Sequence, residues 1–143
     1  MVRVLATGVF DIIHTGHISY LEQAKAMGDE LVVVVACDNT VRKRKHEPIT
    51  PDTMRASIIN SLKPVDMTVI GNDGDIYRTI EELRPDIIVL GYDQTFDENE
   101  LKDELSERGI IAEIRRADRC TDDLSGTRRI VDRIIKGFGA DDQ

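Results

Sequence analysis

The chain has no tryptophan, only three phenylalanines and only three tyrosines. So few rings make no stacking platform of the kind that single-stranded nucleic acids require. The two cysteines, Cys37 and Cys120, form no disulfide framework, and no Cys-x-x-Cys pair or Cys/His spacing of a zinc site occurs. The longest apolar run, residues 31–37, is far too short to span a bilayer. No secretory leader is expected, because Arg3 is followed by only a few apolar residues and then Gly8. A cytoplasmic location is the reading these absences leave. What the chain does have is 143 residues, 41% of them hydrophobic, enough for one core and a single domain. Its formal net charge of -8 sets it against nucleic acids and anionic membranes as partners. The one dense basic run, Arg42-Lys43-Arg44-Lys45, reads on its own as a solvated loop as readily as a site.

Residues 2–6 read as a buried first strand that ends at Thr7-Gly8. Gly16 and His17 open a helix whose apolar stripe runs through Leu21, Ala24 and Met27, and Gly28 ends it. Valine-rich residues 31–37 read as a second strand. Residues 38–49 read as a loop that carries the basic run. Thr50 is the expected N-cap of the next helix, with Pro51 at its first position, and that helix runs to about Leu62. Strands follow over 67–70, 86–91 and 110–114, and helices over 76–83, 99–108 and 125–136. A loose tail is expected over 137–143. Alternation of short apolar strands with amphipathic helices predicts an α/β fold, a doubly wound five-stranded parallel sheet of Rossmann-like type. Ligands of such sheets bind beyond the carboxyl ends of the strands.

The unusual residues fall at those ends. Gly8-Val9-Phe10-Asp11-Ile12-Ile13-His14-Thr15-Gly16-His17 sets two histidines about a glycine at a helix mouth, where backbone N–H groups attract anions. This favours a phosphate site. Zinc is disfavoured because His14 and His17 lack a nearby third ligand, and no protein-held metal is expected. Asp93, after Gly91 and Tyr92, is placed to accept from a ribose hydroxyl or a base amine, though Asp and Gly are also common turn residues. Ser125-Gly126-Thr127-Arg128 opens the last helix, where a hydroxyl caps the helix or meets an anion.

The first of these segments resembles the GTFDxxHxGH signature of the cytidylyltransferase-like nucleotidyltransferases, with Val9 in place of a hydroxyl residue. Ser125 to Arg128 resembles the same family's ISSTxI-like stretch, with Gly126 in place of a hydroxyl residue. The resemblance implies attack by a phosphate oxygen on the α-phosphorus of a nucleoside triphosphate, with release of pyrophosphate. It assigns His14, His17, Lys43 and Arg128 to catalysis. It assigns Gly8, Val9, Phe10, Thr15, Gly16, Asp93, Ser125, Gly126 and Thr127, together with the two histidines, to ATP. It assigns Asp11, Lys45, Arg55 and Tyr92 to the acceptor. The alternative for Arg55 is a solvated helix arginine. A magnesium ion is expected to accompany the triphosphate.

Over residues 2–136 the chain resembles the archaeal FAD synthases, through Leu62-Lys63-Pro64-Val65-Asp66, Arg84-Pro85-Asp86 and Gly91-Tyr92-Asp93-Gln94-Thr95-Phe96-Asp97. That implies FMN adenylyltransferase activity, with ATP and FMN as substrates and a homodimer as the assembly. Tyr20, Tyr92 and Phe96 are the aromatics offered for the flavin. Where those synthases tend to carry paired cysteines, this chain has Cys120 alone. Two other readings stay open: a glycerol-3-phosphate or other phosphoalcohol cytidylyltransferase, and a non-catalytic nucleotide-binding regulator on the same fold.

Overall fold

The computed structural model describes residues 1–44, 46–95, 97–120, 124 and 126–138. Five parallel strands, β1 (Arg3–Gly8), β2 (Glu30–Val35), β3 (Met67–Ile70), β4 (Ile87–Leu90) and β5 (Glu113–Arg116), lie in the order β3-β2-β1-β4-β5. The helices are α1 (Thr15–Ala26), α2 (Asp38–Arg44), α3 (Asp52–Asn60), α4 (Ile76–Leu83), α5 (Glu98–Glu107) and α6 (Thr127–Gly137).

The central strands β2, β1 and β4 are apolar on both sides because both sides are covered. Side chains alternate along a strand. Val4 and Ala6 of β1, Val33 and Val35 of β2, and Val89 of β4 therefore pack against Leu21 and Ala24 of α1 and Ile59 of α3. Leu5, Val34, Ile88 and Leu90 face the other way, onto Ile80 of α4 and Leu101 and Leu105 of α5. The chain leaves β3 at one edge and returns through α4 to pair β4 with β1 in register Val4↔Ile87 to Ala6↔Val89. The strand order reverses there, and β1 and β4 part beyond Ala6 and Val89. The buried phenol of Tyr20 fills the opening: it accepts from Thr7 N–H at 3.1 Å and donates toward the Val89 carbonyl. Burial pushes its pKa above the ordinary phenol value.

Four expectations need correction. The basic run does not lie in a loop: Arg42, Lys43 and Arg44 are the last turn of α2. That helix is pinned at its start by a reciprocal pair, Asp38 N–H to Asp52 Oδ2 at 3.0 Å and Asp52 N–H to Asp38 Oδ1 at 2.9 Å. Thr50 does not cap α3, whose N-cap is Pro51, without a side-chain bond; the Thr50 hydroxyl donates to Asp11 instead. β5 begins at Glu113, three residues later than the expected start at Ile110, and Ile110 fills the core from the segment before it. Gly137, expected in the tail, is the last residue of α6, while 139–143 lie outside the described residues.

Candidate functional site

A cavity of about 920 Å³ opens at the carboxyl ends of β1 and β4. Its floor is the segment after β1, which takes an unusual course. Phe10 and Ile12 are both left-handed, at φ 55° and φ 60°. This is a strained conformation for any side chain, most of all a β-branched one, and such strain concentrates at functional loops. Four sets of contacts hold it. The Asp11 carboxylate, nearly buried, accepts from Ile49 N–H at 2.6 Å, Thr50 N–H at 3.0 Å and the Thr50 hydroxyl at 2.6 Å. The Arg55 guanidinium donates to the Val9 carbonyl at 2.7 Å. The Thr127 hydroxyl donates to the Asp11 carbonyl at 2.7 Å. The buried Phe10 ring lies over Gly8, where an added Cβ would come within 2.8 Å of the ring; that position admits no side chain.

The same loop delivers the histidines. His14 is the N-cap of α1: its Nδ1 accepts from Gly16 N–H at 3.0 Å, and its own N–H donates to His17 Nδ1 at 3.4 Å, a capping box built from two imidazoles. A neutral imidazole that accepts at Nδ1 carries its proton on Nε2. Both rings are thereby fixed in the tautomer that donates from Nε2. The rings stack at 3.7 Å between centroids, and Phe10 meets the edge of His17 at 5.3 Å. Burial holds the His14 pKa below the ordinary imidazole value. His14 is therefore neutral near pH 7, and the stacked pair carries N–H groups suited to phosphate oxygens.

The cavity collects most of the residues singled out from the sequence. Gly8, Val9, Phe10, Asp11, His14, Gly16 and His17 line it, as do Tyr92, Asp93, Gly126, Thr127 and Arg128. Thr15 opens α1 without lining it. Lys43 lines neither this cavity nor its neighbour; its ammonium stands 3.3 Å from Asp73 in an exposed pair. Arg44 of the same helix turns toward the neighbouring cavity, and His46 lines the larger one. Arg55 is neither solvated nor open to a ligand: it is 1% exposed and bound to the carbonyls of Val9, Ala36 and Thr50 and to Asp38 Oδ1. The Tyr20 hydroxyl is committed to β1 and β4, and its ring, stacked on Phe10, lines the cavity. Lys45, Phe96 and Ser125 lie outside the described residues. Among the described residues no group of three His, Cys, Asp or Glu could hold a metal ion.

Two residues were not assigned from the sequence. Gln94 accepts from Gly91 N–H at 2.8 Å and donates to the Thr7 carbonyl at 3.0 Å, so its amide joins β1 to the loop after β4 on the wall of both cavities. Arg116 donates to the carbonyls of Gly91 and Gln94, both at 2.8 Å, and fixes that loop from β5. Gln94 follows Gly-Tyr-Asp at a strand end, which was signal enough; an arginine in an edge strand gave none.

A second cavity, about 610 Å³, shares Thr7, Gly8, Val9, Asp93 and Gln94 with the first and extends over β2 and β3. Its far wall mixes apolar Val34, Ile76, Tyr77 and Leu101 with polar and charged Asn72, Asp75, Asp97 and Glu100. Two chambers therefore meet at the end of β1, one edged by helix N-termini and histidines, the other by the ends of β2 and β3 and by Tyr77.

The sequence model of the cytidylyltransferase-like family matches residues 5–132. The FAD synthase of Aciduliprofundum boonei is 54% identical, over 94% of this chain and 91% of that protein. The FAD synthase of Thermoplasma acidophilum is 47% identical, over 97% of this chain and 98% of that protein. The crystal structure of the lipopolysaccharide core biosynthesis protein from Thermoplasma volcanium superposes with a TM-score of 0.83 at 50% identity, covering 85% of this chain and 99% of that one. A protein of unknown function from Archaeoglobus fulgidus, 18% identical with a TM-score of 0.67, shares the fold. By its sequence and its five-stranded parallel sheet, the chain belongs to the cytidylyltransferase-like nucleotidyltransferases and, within them, to the FAD synthases.

Proposed function

We propose that this single domain transfers AMP from ATP to FMN, forming FAD and releasing pyrophosphate. The observation that carries the reading is the meeting of two chambers at the strand-order reversal, with fixed imidazole donors on one side of the junction. ATP occupies the larger chamber. Its α- and β-phosphates lie against Gly8, Val9 and the Nε2–H groups of His14 and His17. Its β- and γ-phosphates lie at the start of α6, where the positive end of the helix dipole and Arg128 favour an anion. Asp93 takes the ribose. The flavin enters the second chamber beside Tyr77, with its phosphate toward the end of β1 and Arg44 on the same chamber wall.

A phosphate oxygen of FMN attacks the α-phosphorus. A P–O bond forms in line as the bond to the β-phosphate bridging oxygen breaks, and pyrophosphate leaves. A phosphate monoester is anionic at neutral pH, so no strong base is needed. The residues supply alignment and charge stabilisation. A magnesium ion would arrive with ATP as part of the substrate and would neutralise charge on the triphosphate. No helix among the described residues is long and apolar enough to cross a membrane, and the activity is assigned to the cytoplasm. A homodimer is part of the same reading; Ile134, Ile135 and Phe138 form an exposed apolar stripe at the end of α6 that a second copy would cover.

The test crosses ATP and CTP with FMN and glycerol 3-phosphate in a pyrophosphate-release assay under reducing conditions with magnesium. The expected result is release with ATP and FMN, with FAD appearing in step. Release with CTP and glycerol 3-phosphate would replace the acceptor and the nucleotide together. Binding of ATP with no release in any combination would make the chain a regulator.

A further inference from the structure

Thr127 sits at the start of α6, where a hydroxyl is expected to meet the triphosphate. Its geometry points elsewhere. A threonine hydroxyl has one proton to donate, and here that proton lies on the Asp11 carbonyl at 2.7 Å, with the Ile12 carbonyl at 3.4 Å. Toward a phosphate, the oxygen then offers only lone pairs, which an anion repels. The two carbonyls belong to the strained stretch between Phe10 and Ile12. The Asp11 side chain anchors that stretch to residues 49 and 50, and Arg55 anchors it through Val9. Thr127 is its link to α6. The helix needs such a link, because none of its residues is buried and two of its large apolar side chains, Ile134 and Ile135, are exposed.

We propose that Thr127 is a positioning residue, a tether that sets the distance between the two anion-binding helix starts rather than a ligand of the triphosphate. The loop it holds ends in His14, which caps α1; the helix it opens carries Arg128 on the next residue. The hydroxyl thus fixes the groups that meet the α-phosphate relative to the groups that meet the departing pyrophosphate. A misplacement of about 1 Å between such groups lowers turnover by about a hundredfold without weakening ground-state binding in proportion. The inference rests on the adenylyl-transfer reading for its kinetic arm and on the loop geometry alone for its physical arm.

The test compares Thr127→Val, which keeps the shape and removes the proton, with Thr127→Ser, which keeps the proton. For Thr127→Val the expected kcat for FAD formation falls about a hundredfold, with the KM for ATP and the inhibition constant of pyrophosphate within about threefold of wild type. Thr127→Ser restores most of the turnover. Amide hydrogen exchange over residues 10–15 and the first turn of α6 quickens in the valine variant and returns to wild-type rates in the serine variant. The opposite split overturns the tether: a rise of tenfold or more in the ATP KM and pyrophosphate constant, with unchanged loop exchange. Unchanged kinetics and exchange in the valine variant also overturn it. If no FAD forms with the wild-type protein, the functional reading fails by itself. Exchange, together with ATP binding measured by calorimetry, still decides the tether.

Discussion

Replacing Arg55 with methionine removes a buried cation while keeping most of the stem's volume. The guanidinium has lost its contact with water and donates to four oxygens: Val9 O at 2.7 Å, Ala36 O at 2.8 Å, Thr50 O at 3.0 Å and Asp38 Oδ1 at 2.7 Å. Methionine leaves these acceptors without that donor. Asp38 keeps a bond from Asp52 N–H, so its carboxylate is partly satisfied. Removing one partner of a buried ion pair costs about 3–5 kcal/mol. Each buried carbonyl left unpaired adds about 1–3 kcal/mol if water cannot reach it. The carbonyls of Val9 and Ala36 end β1 and β2 at the cavity edge, where water replaces part of the loss. The expected net is therefore about 3–5 kcal/mol, a large share of the roughly 5–15 kcal/mol that holds a domain folded. The assay is urea unfolding by circular dichroism at pH 7, with Arg55→Lys in parallel; lysine keeps the charge but cannot span four acceptors. The expected order is wild type, then lysine, then methionine. A methionine variant within about 1 kcal/mol of wild type would refute the account of Arg55 as the clasp of the β1, β2 and α2 ends.

Two further outcomes follow from the same site. His14 should titrate below the usual 6.5, because burial disfavours its charged form. The unfolded chain then binds the proton more readily than the folded one, so the contribution to stability is full above the unfolded value and lost as pH falls through it. Protonating Nδ1 also displaces the Gly16 N–H, and turnover should drop along the same acid limb. A nuclear magnetic resonance titration of the ring with a midpoint at or above 6.5 would contradict this. Tyr20→Phe should destabilise the protein by about 1–3 kcal/mol, since Thr7 N–H and the Val89 carbonyl lose their bridge inside the core. It should also raise the KM for ATP as β1 and β4 shift at the cavity floor. Thermal unfolding together with steady-state kinetics checks both, and a variant indistinguishable from wild type would remove Tyr20 from the architecture of the site.

The sheet was legible because its three central strands, β2, β1 and β4, are buried on both faces and read as continuous apolar runs; β2, with four consecutive valines, is the plainest case. What escaped lacked a period. α2 has one buried residue, Val41, and is held by Asp38 and Asp52 rather than by an apolar stripe, so nothing in 38–44 repeats at helical spacing. β5 is Glu-Ile-Arg-Arg at the sheet edge, and the apolar residues that suggested a strand lie in the segment ahead of it. α3 inverts the usual pattern: Arg55 faces inward with Ile59, while Met54 and Ile58 face out. The four-residue spacing of Arg55 and Ile59 was a usable signal, overridden by the habit of placing arginine in water. At the site, the histidine-glycine segment declared itself through residue type. The roles of Asp11, Thr50 and Thr127 did not, because they are contacts across more than thirty residues of sequence.

An acidic chain of net charge -8 that takes two polyanionic substrates poses an electrostatic problem, and the fold answers it locally. The N-caps of α1 and α6, His14 and Gly126, both line the larger cavity, so two helix N-termini border it. Each presents the positive end of a helix dipole, equivalent to about half an elementary charge. Asp11, the carboxylate nearest the phosphate loop, is turned onto residues 49 and 50 and surrounded by three donors, so its lone pairs face protein rather than ligand. The histidines reach phosphate as N–H donors, and their positions do not depend on attracting charge from a distance. Beyond roughly 10 Å at ordinary ionic strength the acidic surface is screened. Within that radius the geometry of the two helix starts decides, and that geometry is set by the strained loop and the hydroxyl that ties it to α6.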